Sequence, residues 1–299
     1  MICDGLDYDI WTCRNGNKYV LIDCESKNEK IEVKNKTVKI DMKAFRNCKL
    51  KEVVFPDSLY EISTRAFCNC DNLQKIVFGE SILKIGTDAF HNCPAINEVV
   101  FPETAEIRDF YQNDAIDRLM EFLDCLITID IEEELIIAKK LANFLCTKTP
   151  VMTFKLAVGN RSIRLPKHMT GLGKWSFQYG PFNIRDWFGY DEYDFFDFLT
   201  IMHYAEMTDY QVGAALEMYI LDQNEEAKEY LIKNASYIIS LFAKYGLSNA
   251  LMEYLNLGIL DKDKMNDILN DFIANQNLEL SAYILEQLKT TKHVNNFTL

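Results

Sequence analysis

The chain of 299 residues is 48% hydrophobic and carries 45 acidic against 32 basic side chains, a formal net charge of −13. That length leaves room for two domains with ample cores, and the acidic balance repels nucleic acid at long range. No apolar run reaches the ~18 residues of a membrane-spanning helix, so a soluble globular protein without membrane insertion is expected. The start, Met1 to Asp9, is acidic where a secretory signal is basic and then apolar. Nine cysteines, an odd number scattered from Cys3 to Cys146 without a C-x-x-C, fit a reduced compartment better than a disulfide framework. A cytoplasmic protein is the expectation, with the cell surface or secretion the alternative if a signal has been removed.

Residues 1 to 30 read as a cap. Trp11-Thr12-Cys13 and Tyr19 to Ile22 flank Arg14-Asn15-Gly16-Asn17, and Asn-Gly is a strong hairpin-turn signal. A solenoid needs such a lid, because its first turn would otherwise expose core. From Ile31 to Pro102 one sentence is then written about three and a half times. Lys49 to Pro56 (KLKEVVFP) returns as Asn72 to Gly79 (NLQKIVFG) and as Ala95 to Pro102 (AINEVVFP). A second phrase runs from Ile40 to Cys48, Ile62 to Cys70 and Ile85 to Cys93, which places Phe45, Phe67 and Phe90 at intervals of 22 and 23 residues. That period, headed by Leu-x-x-Val/Ile-x-Phe, is what a leucine-rich repeat requires.

Strands are predicted near 31–33, 53–55, 76–78 and 99–101. Alternation sends Val53, Ile76 and Val99 inward together with Phe55, Phe78 and Phe101, and turns Val54, Val77 and Val100 outward. Ile62, Ile85 and the Ala-Phe pairs at 66–67 and 89–90 fill the other side of each turn. These residues resemble the BspA-type leucine-rich repeat, with its pattern L-x-x-V-x-F-P-x-S-L-x-x-I-x-x-x-A-F-x-x-C, including Phe-Pro-Asp-Ser-Leu at 55–59. The resemblance implies a short curved solenoid that binds protein, and many members of the family are exported or surface proteins. The first copy departs from the pattern at Lys36-Thr37, and the last has no second phrase after Pro102.

After Pro102 the period becomes helical. A helix is predicted over 114–126, docking on the last repeat, and Asp130 is placed to cap another through Cys146. A β-hairpin follows near 151–165, turning at Gly159-Asn160. Residues 170–189 read as irregular. Further helices are expected over 192–206, from the capping box at Thr208 to about 221, over 225–245 to Gly246, from Ser248 to before Gly258, from Asp261, and over 278–289. Phe242 and Phe272 stand at matching places, a weak similarity to ankyrin-type helix pairs without their T-P-L-H-x-A signature.

The fold class expected is therefore α+β. Residues 1–105 form a capped leucine-rich-repeat solenoid with one strand per 22–23-residue repeat. Residues 106–299 form a mostly α-helical domain with one β-hairpin near 151–165 and stacked helix pairs at 192–290.

Function is sought on surfaces. The outward row Val54, Val77 and Val100, flanked by Glu52, Lys75 and Glu98, lies on the strand face and is the candidate site for a protein partner. The competing reading is β-propensity alone, or cover from the helical domain. The segment 135–185 has nine basic and no acidic residues, and 186–227 has eleven carboxylates and no Lys or Arg. Arg161, Arg164, Lys167 and Lys174, interleaved with aromatics, form the alternative candidate, a site for a polyanion or acidic partner, against neutralisation inside the fold.

Cys48, Cys70 and Cys93 end successive loops. A ladder of single thiols does not converge as zinc requires, so small buried hydrophobes are expected, while Cys68 stands at another phase, where exposure is expected. No metal site and no cofactor are expected. The four histidines are isolated, and no H-E-x-x-H, P-loop or G-x-S-x-G is present. The acidic aromatic stretch 186–197 reads as a helix start. A non-enzymatic interaction protein is the expectation.

Overall fold

The computed structural model describes residues 2–14, 16–82, 84–102, 126, 132–159, 161–169, 202, 205, 208–274, 278, 281–282 and 284–286. The expected helices over 114–126 and 192–206, the irregular 170–189 and most of 278–289 lie outside them. Two compact units are present, one of residues 1–131 and 150–214, the other of 132–149 and 215–299. The chain thus crosses between units more than once, where the change of period suggested a single boundary near 105.

The first unit is a β-solenoid of about three turns. Its first sheet joins β1 (Ile2–Cys3), β2 (Leu6–Cys13), β3 (Gly16–Cys24), β5 (Thr37–Ile40), β7 (Glu61–Ile62) and β9 (Lys84–Ile85), in that order. The second joins β4 (Lys30–Glu32), β6 (Glu52–Val54), β8 (Lys75–Val77) and β10 (Glu98–Phe101) to β11 (Thr153–Val158) and β12 (Arg161–Pro166). Neighbours from β4 to β11 are parallel and in register: Val53 faces Ile76, Ile76 faces Val99, and Val99 faces Leu156. The strand expected in each repeat is present, and each turn adds a short second strand at the position of Ile40, Ile62 and Ile85.

Repetition builds the core. Phe67 stacks on Phe45 at 4.5 Å and on Phe90 at 5.0 Å, and Phe78 stacks on Phe55 at 5.6 Å and on Phe101 at 4.6 Å. Once a residue faces inward in one turn, its counterpart a period later must meet the same ring. The loops between the phrases turn tightly through left-handed residues at Lys43, Arg65 and Asp88, then at Asn47, Asn69 and Asn92. Asparagine tolerates that conformation. The three asparagines also form a ladder: Asn69 donates to Asn47 at 3.3 Å, and Asn92 donates to Asn69 at 3.0 Å.

Gly79 occupies the place of Pro56 and Pro102. A Cβ there would lie 2.4 Å from the Pro56 carbonyl oxygen and 2.6 Å from the Asp57 nitrogen, both backbone atoms that cannot swing aside. Gly79→Ala therefore destabilises the solenoid by about 1–3 kcal/mol, although the repeat pattern alone favours a larger residue here. Urea unfolding checks this, and a neutral or stabilised variant would show that the close approach is absent.

Both ends of the solenoid carry a hairpin, each in a different sheet. The expected N-terminal hairpin forms as β2 and β3, and β3 pairs in parallel with β5. The second hairpin also forms as expected, but its place differs. Instead of belonging to the helical unit, β11 pairs in parallel with the last repeat strand β10. The cause is β10's open edge, whose backbone groups need partners. β11 presents Phe154 and Leu156, both 0% exposed, to continue the core.

In the second unit α1 (Glu134–Thr147) buries Ile137, Ala138, Leu141, Phe144 and Leu145, an apolar stripe at helical spacing. It packs on α4 (Ala235–Lys244) and α5 (Ser248–Leu255). Its N-cap is Glu133 rather than Asp130. The helix expected over 225–245 is two, α3 (Glu225–Lys233) and α4, divided at Asn234, whose side chain donates back to the Tyr230 carbonyl at 2.8 Å. A side chain that competes for backbone groups breaks a helix locally. Asn224 caps α3, and Asp261 caps α6 (Lys262–Ala274), accepting from the Lys264 amide at 2.7 Å. Gly246, at φ +65°, ends α4 as expected. The helix α2 (Thr208–Asp222) begins where the capping box predicts. Phe242 and Phe272 are both buried, in α4 and α6.

Candidate functional site: the strand face of the second sheet

The strands are too short for anything but their alternation to decide which side chains face out. In β6, β8 and β10 the middle residue is fully buried and its two neighbours are half-buried. Parallel register then aligns equivalent positions across the sheet, about 4.8 Å apart. One outward row is Glu32, Val54, Val77, Val100 and, through the hairpin, Ala157 and Ser162. The row beside it is Lys30, Glu52, Lys75, Glu98, Lys155 and Arg164.

Charges in that row alternate from Lys30 to Lys155. Lys30 lies 3.2 Å from Glu52, and Lys75 lies 3.0 Å from Glu98. Half-exposed pairs of this kind add little stability. Their effect is on register, since a slip by one strand residue would part these opposite charges and turn the buried middle residues outward. All six residues expected at a partner site, Val54, Val77, Val100, Glu52, Lys75 and Glu98, are therefore side by side on one face. Lys155 and Ala157 were not anticipated there. Their signal is in the sequence: Lys155-Leu156-Ala157-Val158 repeats the charged-apolar-small-apolar order of Glu98-Val99-Val100-Phe101.

Of the alternative cation cluster, Arg161, Arg164 and Lys167 lie on or next to β12. Lys167 is only 8% exposed and donates to the Pro94 carbonyl at 2.8 Å, tying the hairpin to the last repeat. Arg164 donates to the Thr153 hydroxyl at 3.3 Å, and Arg161 lies at the opposite end of β12. Lys174 and the acidic stretch 186–197 fall outside the described residues. His168 is buried as well, stacked on Tyr210 at 4.0 Å.

Among the cysteines the thiols follow the repeat inward. Cys70 donates to the Phe45 carbonyl at 2.9 Å and Cys93 to the Phe67 carbonyl at 3.0 Å, so each thiol bonds the preceding turn. The neighbouring Cys93 thiol, reinforced by burial, pushes the Cys70 thiol above its ordinary value, which leaves it protonated and unreactive. Cys68, expected to be exposed from its phase, is buried at 9% and bonded to Asn69 at 3.5 Å. The tight left-handed turn at Asn69 folds that position back against the loop. Among the described residues no group of three or more His, Cys, Asp or Glu could hold a metal ion, and no helix is long and apolar enough to cross a membrane.

Residues 17–118, about a third of the chain, match the BspA type leucine rich repeat region in 6 copies. The match begins earlier than the repeats legible by eye and takes in β3. A leucine rich cell surface protein from Faecalibacterium prausnitzii A2-165 is 26% identical, over 34% of this chain and 33% of that one, with a TM-score of 0.27. The T. pallidum leucine rich repeat protein is 17% identical, over 31% of this chain and 68% of that one, with a TM-score of 0.20. This chain spans about a third of the length of the first of these. No curated protein matches it significantly. BspA-type repeats are generally protein-interaction or adhesion modules, typically non-enzymatic and often found at the cell surface.

Proposed function

Residues 17–118 being a BspA-type leucine-rich-repeat region, we propose that the chain is a non-enzymatic binding protein that holds a protein partner on the strand face of its second sheet. The observation that carries this reading is the row Val54, Val77 and Val100, half-buried and in register on three adjacent strands. A contiguous apolar strip edged by charge is the composition of a protein interface, with its apolar centre and polar rim. The alternating row of Glu52, Lys75 and Glu98 supplies that edge and a charge pattern for a partner to match. The hairpin widens the strip by one strand at Ala157.

A polyanion or acidic partner on Arg161, Arg164, Lys167 and Lys174 is the lesser reading, because Lys167 is used inside the fold. The odd count of nine cysteines favours a reducing, cytoplasmic setting, with adhesion at the cell surface as the alternative.

The test compares wild type with the Val54→Asp/Val77→Asp/Val100→Asp variant as bait in the source cell's lysate. The three positions are neighbours in register, so three Asp there set like charges opposite each other. The variant is compared only once a cooperative melting transition is shown, and the single Val77→Asp bait replaces it where the triple variant does not fold. A partner bound by wild type should bind the variant at least about tenfold more weakly. Equal recovery by both folded baits overturns the assignment of this face.

A further inference from the structure

The first sheet carries a second surface, with different chemistry. On it lies an open groove of about 830 Å³, lined among others by Trp11, Asn17, Lys18, Lys36, Ser58 and Tyr60. That volume is within the range of small-molecule and oligomer sites. Trp11 is 54% exposed and Tyr60 48%. Every other Phe, Tyr and Trp among the described residues is buried or half-buried. Among the described residues the two exposed aromatic rings thus line the same groove.

Its charge is opposite to that of the chain. Lys18, Lys36 and Lys39 line the groove with one carboxylate, Glu61. Glu61 is already shared between Lys39 at 3.4 Å and Lys84 at 3.5 Å. Lys18 and Lys36 are exposed and make no ion pair among the described residues. In a protein of net charge −13, two exposed ammonium groups without an ion pair among the described residues, on the same groove as two exposed rings, are a local anion site rather than a general basic surface.

The floor narrows the class of ligand. Trp11 is paired with Lys18 across β2 and β3, and the Tyr60 amide donates to the Val38 carbonyl at 2.9 Å. The backbone beneath the groove is spent on the sheet, so an added peptide chain would find little main-chain bonding there, the source of affinity in strand addition. Recognition falls to side chains: flat ring faces, the Asn17 amide, ammonium groups, and the Ser58 hydroxyl as an acceptor, its proton being donated to the Thr37 carbonyl at 2.8 Å. Ring faces suit the C–H faces of pyranose sugars, and the hydroxyl, amide and ammonium groups suit their hydroxyls and acidic substituents. Trp11 and Tyr60 stand at strands three steps apart in the first sheet, about 14 Å, a span for a short oligomer rather than a single sugar. We propose that this groove binds an acidic oligosaccharide, its rings stacked on Trp11 and Tyr60 and its carboxylate or sulfate groups held by Lys18 and Lys36.

The experiment is calorimetric titration of the full chain with three probes: a sulfated or uronic-acid oligosaccharide series, a neutral glucose oligomer of the same length, and poly-glutamate. The acidic oligosaccharides should bind, more weakly as salt rises, and the neutral oligomer at least about tenfold more weakly. Trp11→Ala and the pair Lys18→Ala/Lys36→Ala should each cost at least about tenfold, and being exposed they should leave the melting transition in place. No binding by any acidic oligosaccharide, or undiminished binding by Trp11→Ala, overturns the proposal. Equal or tighter binding of poly-glutamate overturns it in favour of an acidic peptide. The strand-face reading is scored separately, because the folded valine variant keeps this groove intact and should titrate as wild type.

Discussion

Phe67→Ala lowers the stability of the solenoid by about 3–5 kcal/mol, at the upper end of single core truncations. Phe67 is 0% exposed and is the middle ring of three, stacked between Phe45 and Phe90, with Phe55 edge-on at 5.8 Å. The void left by removing it cannot be closed from either side. Each neighbouring ring is fixed by its own turn, and the loop backbone on each side is bonded to the next: the Phe67 amide donates to the Ala89 carbonyl at 2.7 Å, and the Phe45 amide to the Ala66 carbonyl at 2.8 Å. A loss that size is a large share of the ~5–15 kcal/mol that holds a typical domain. Urea titration followed by far-ultraviolet circular dichroism reads the effect. A change under about 1 kcal/mol would mean that the aromatic ladder is not the core of the repeat.

That ladder was legible in the sequence because a repeat states its own register. Phe45, Phe67 and Phe90 could be aligned without any structure, and the inward and outward assignments of Val53, Val54, Ile76 and Val77 followed from a period of two. The second strand of each turn was not legible: Glu61–Ile62 and Lys84–Ile85 are two residues long, too short for alternation to register. The placement of the second hairpin failed for a different reason. Its turn at Gly159-Asn160 and its apolar alternation identify a hairpin, but a parallel partner such as β10 lies 52 or more residues upstream in the chain, and local pattern carries no information at that distance.

The candidate site divides along the same line. Val54, Val77, Val100, Glu52, Lys75 and Glu98 belong to the repeat and could be placed on one face in advance. Lys155 and Ala157 join them through a contact between distant segments. The groove beside Trp11 and Tyr60 is assembled from the hairpin strands β2 and β3 and from loops at the starts of β5 and β7. Tyr60 is not itself part of the repeated pattern, which is why reading the repeat missed it.

Leu156→Ala tests the role of the second hairpin as the solenoid's C-terminal cap. Leu156 is 0% exposed, faces Val99 of the last repeat strand and pairs with Ile163 across the hairpin. Truncation should cost about 2–5 kcal/mol. Where that loss appears matters more than its size. In a solenoid each turn is stabilised by its neighbours, so an end that loses its cap frays toward the interior. Hydrogen exchange should show the amides of Glu98–Phe101 losing protection together with those of Thr153–Val158, and the loss should diminish toward Lys75–Val77. A hairpin folding with the helical unit would predict the reverse, with β10 unchanged and α1 loosened. Unaltered protection across β8 and β10 in a variant that is measurably destabilised would remove the hairpin from the solenoid, and with it the fourth strand of the proposed binding face.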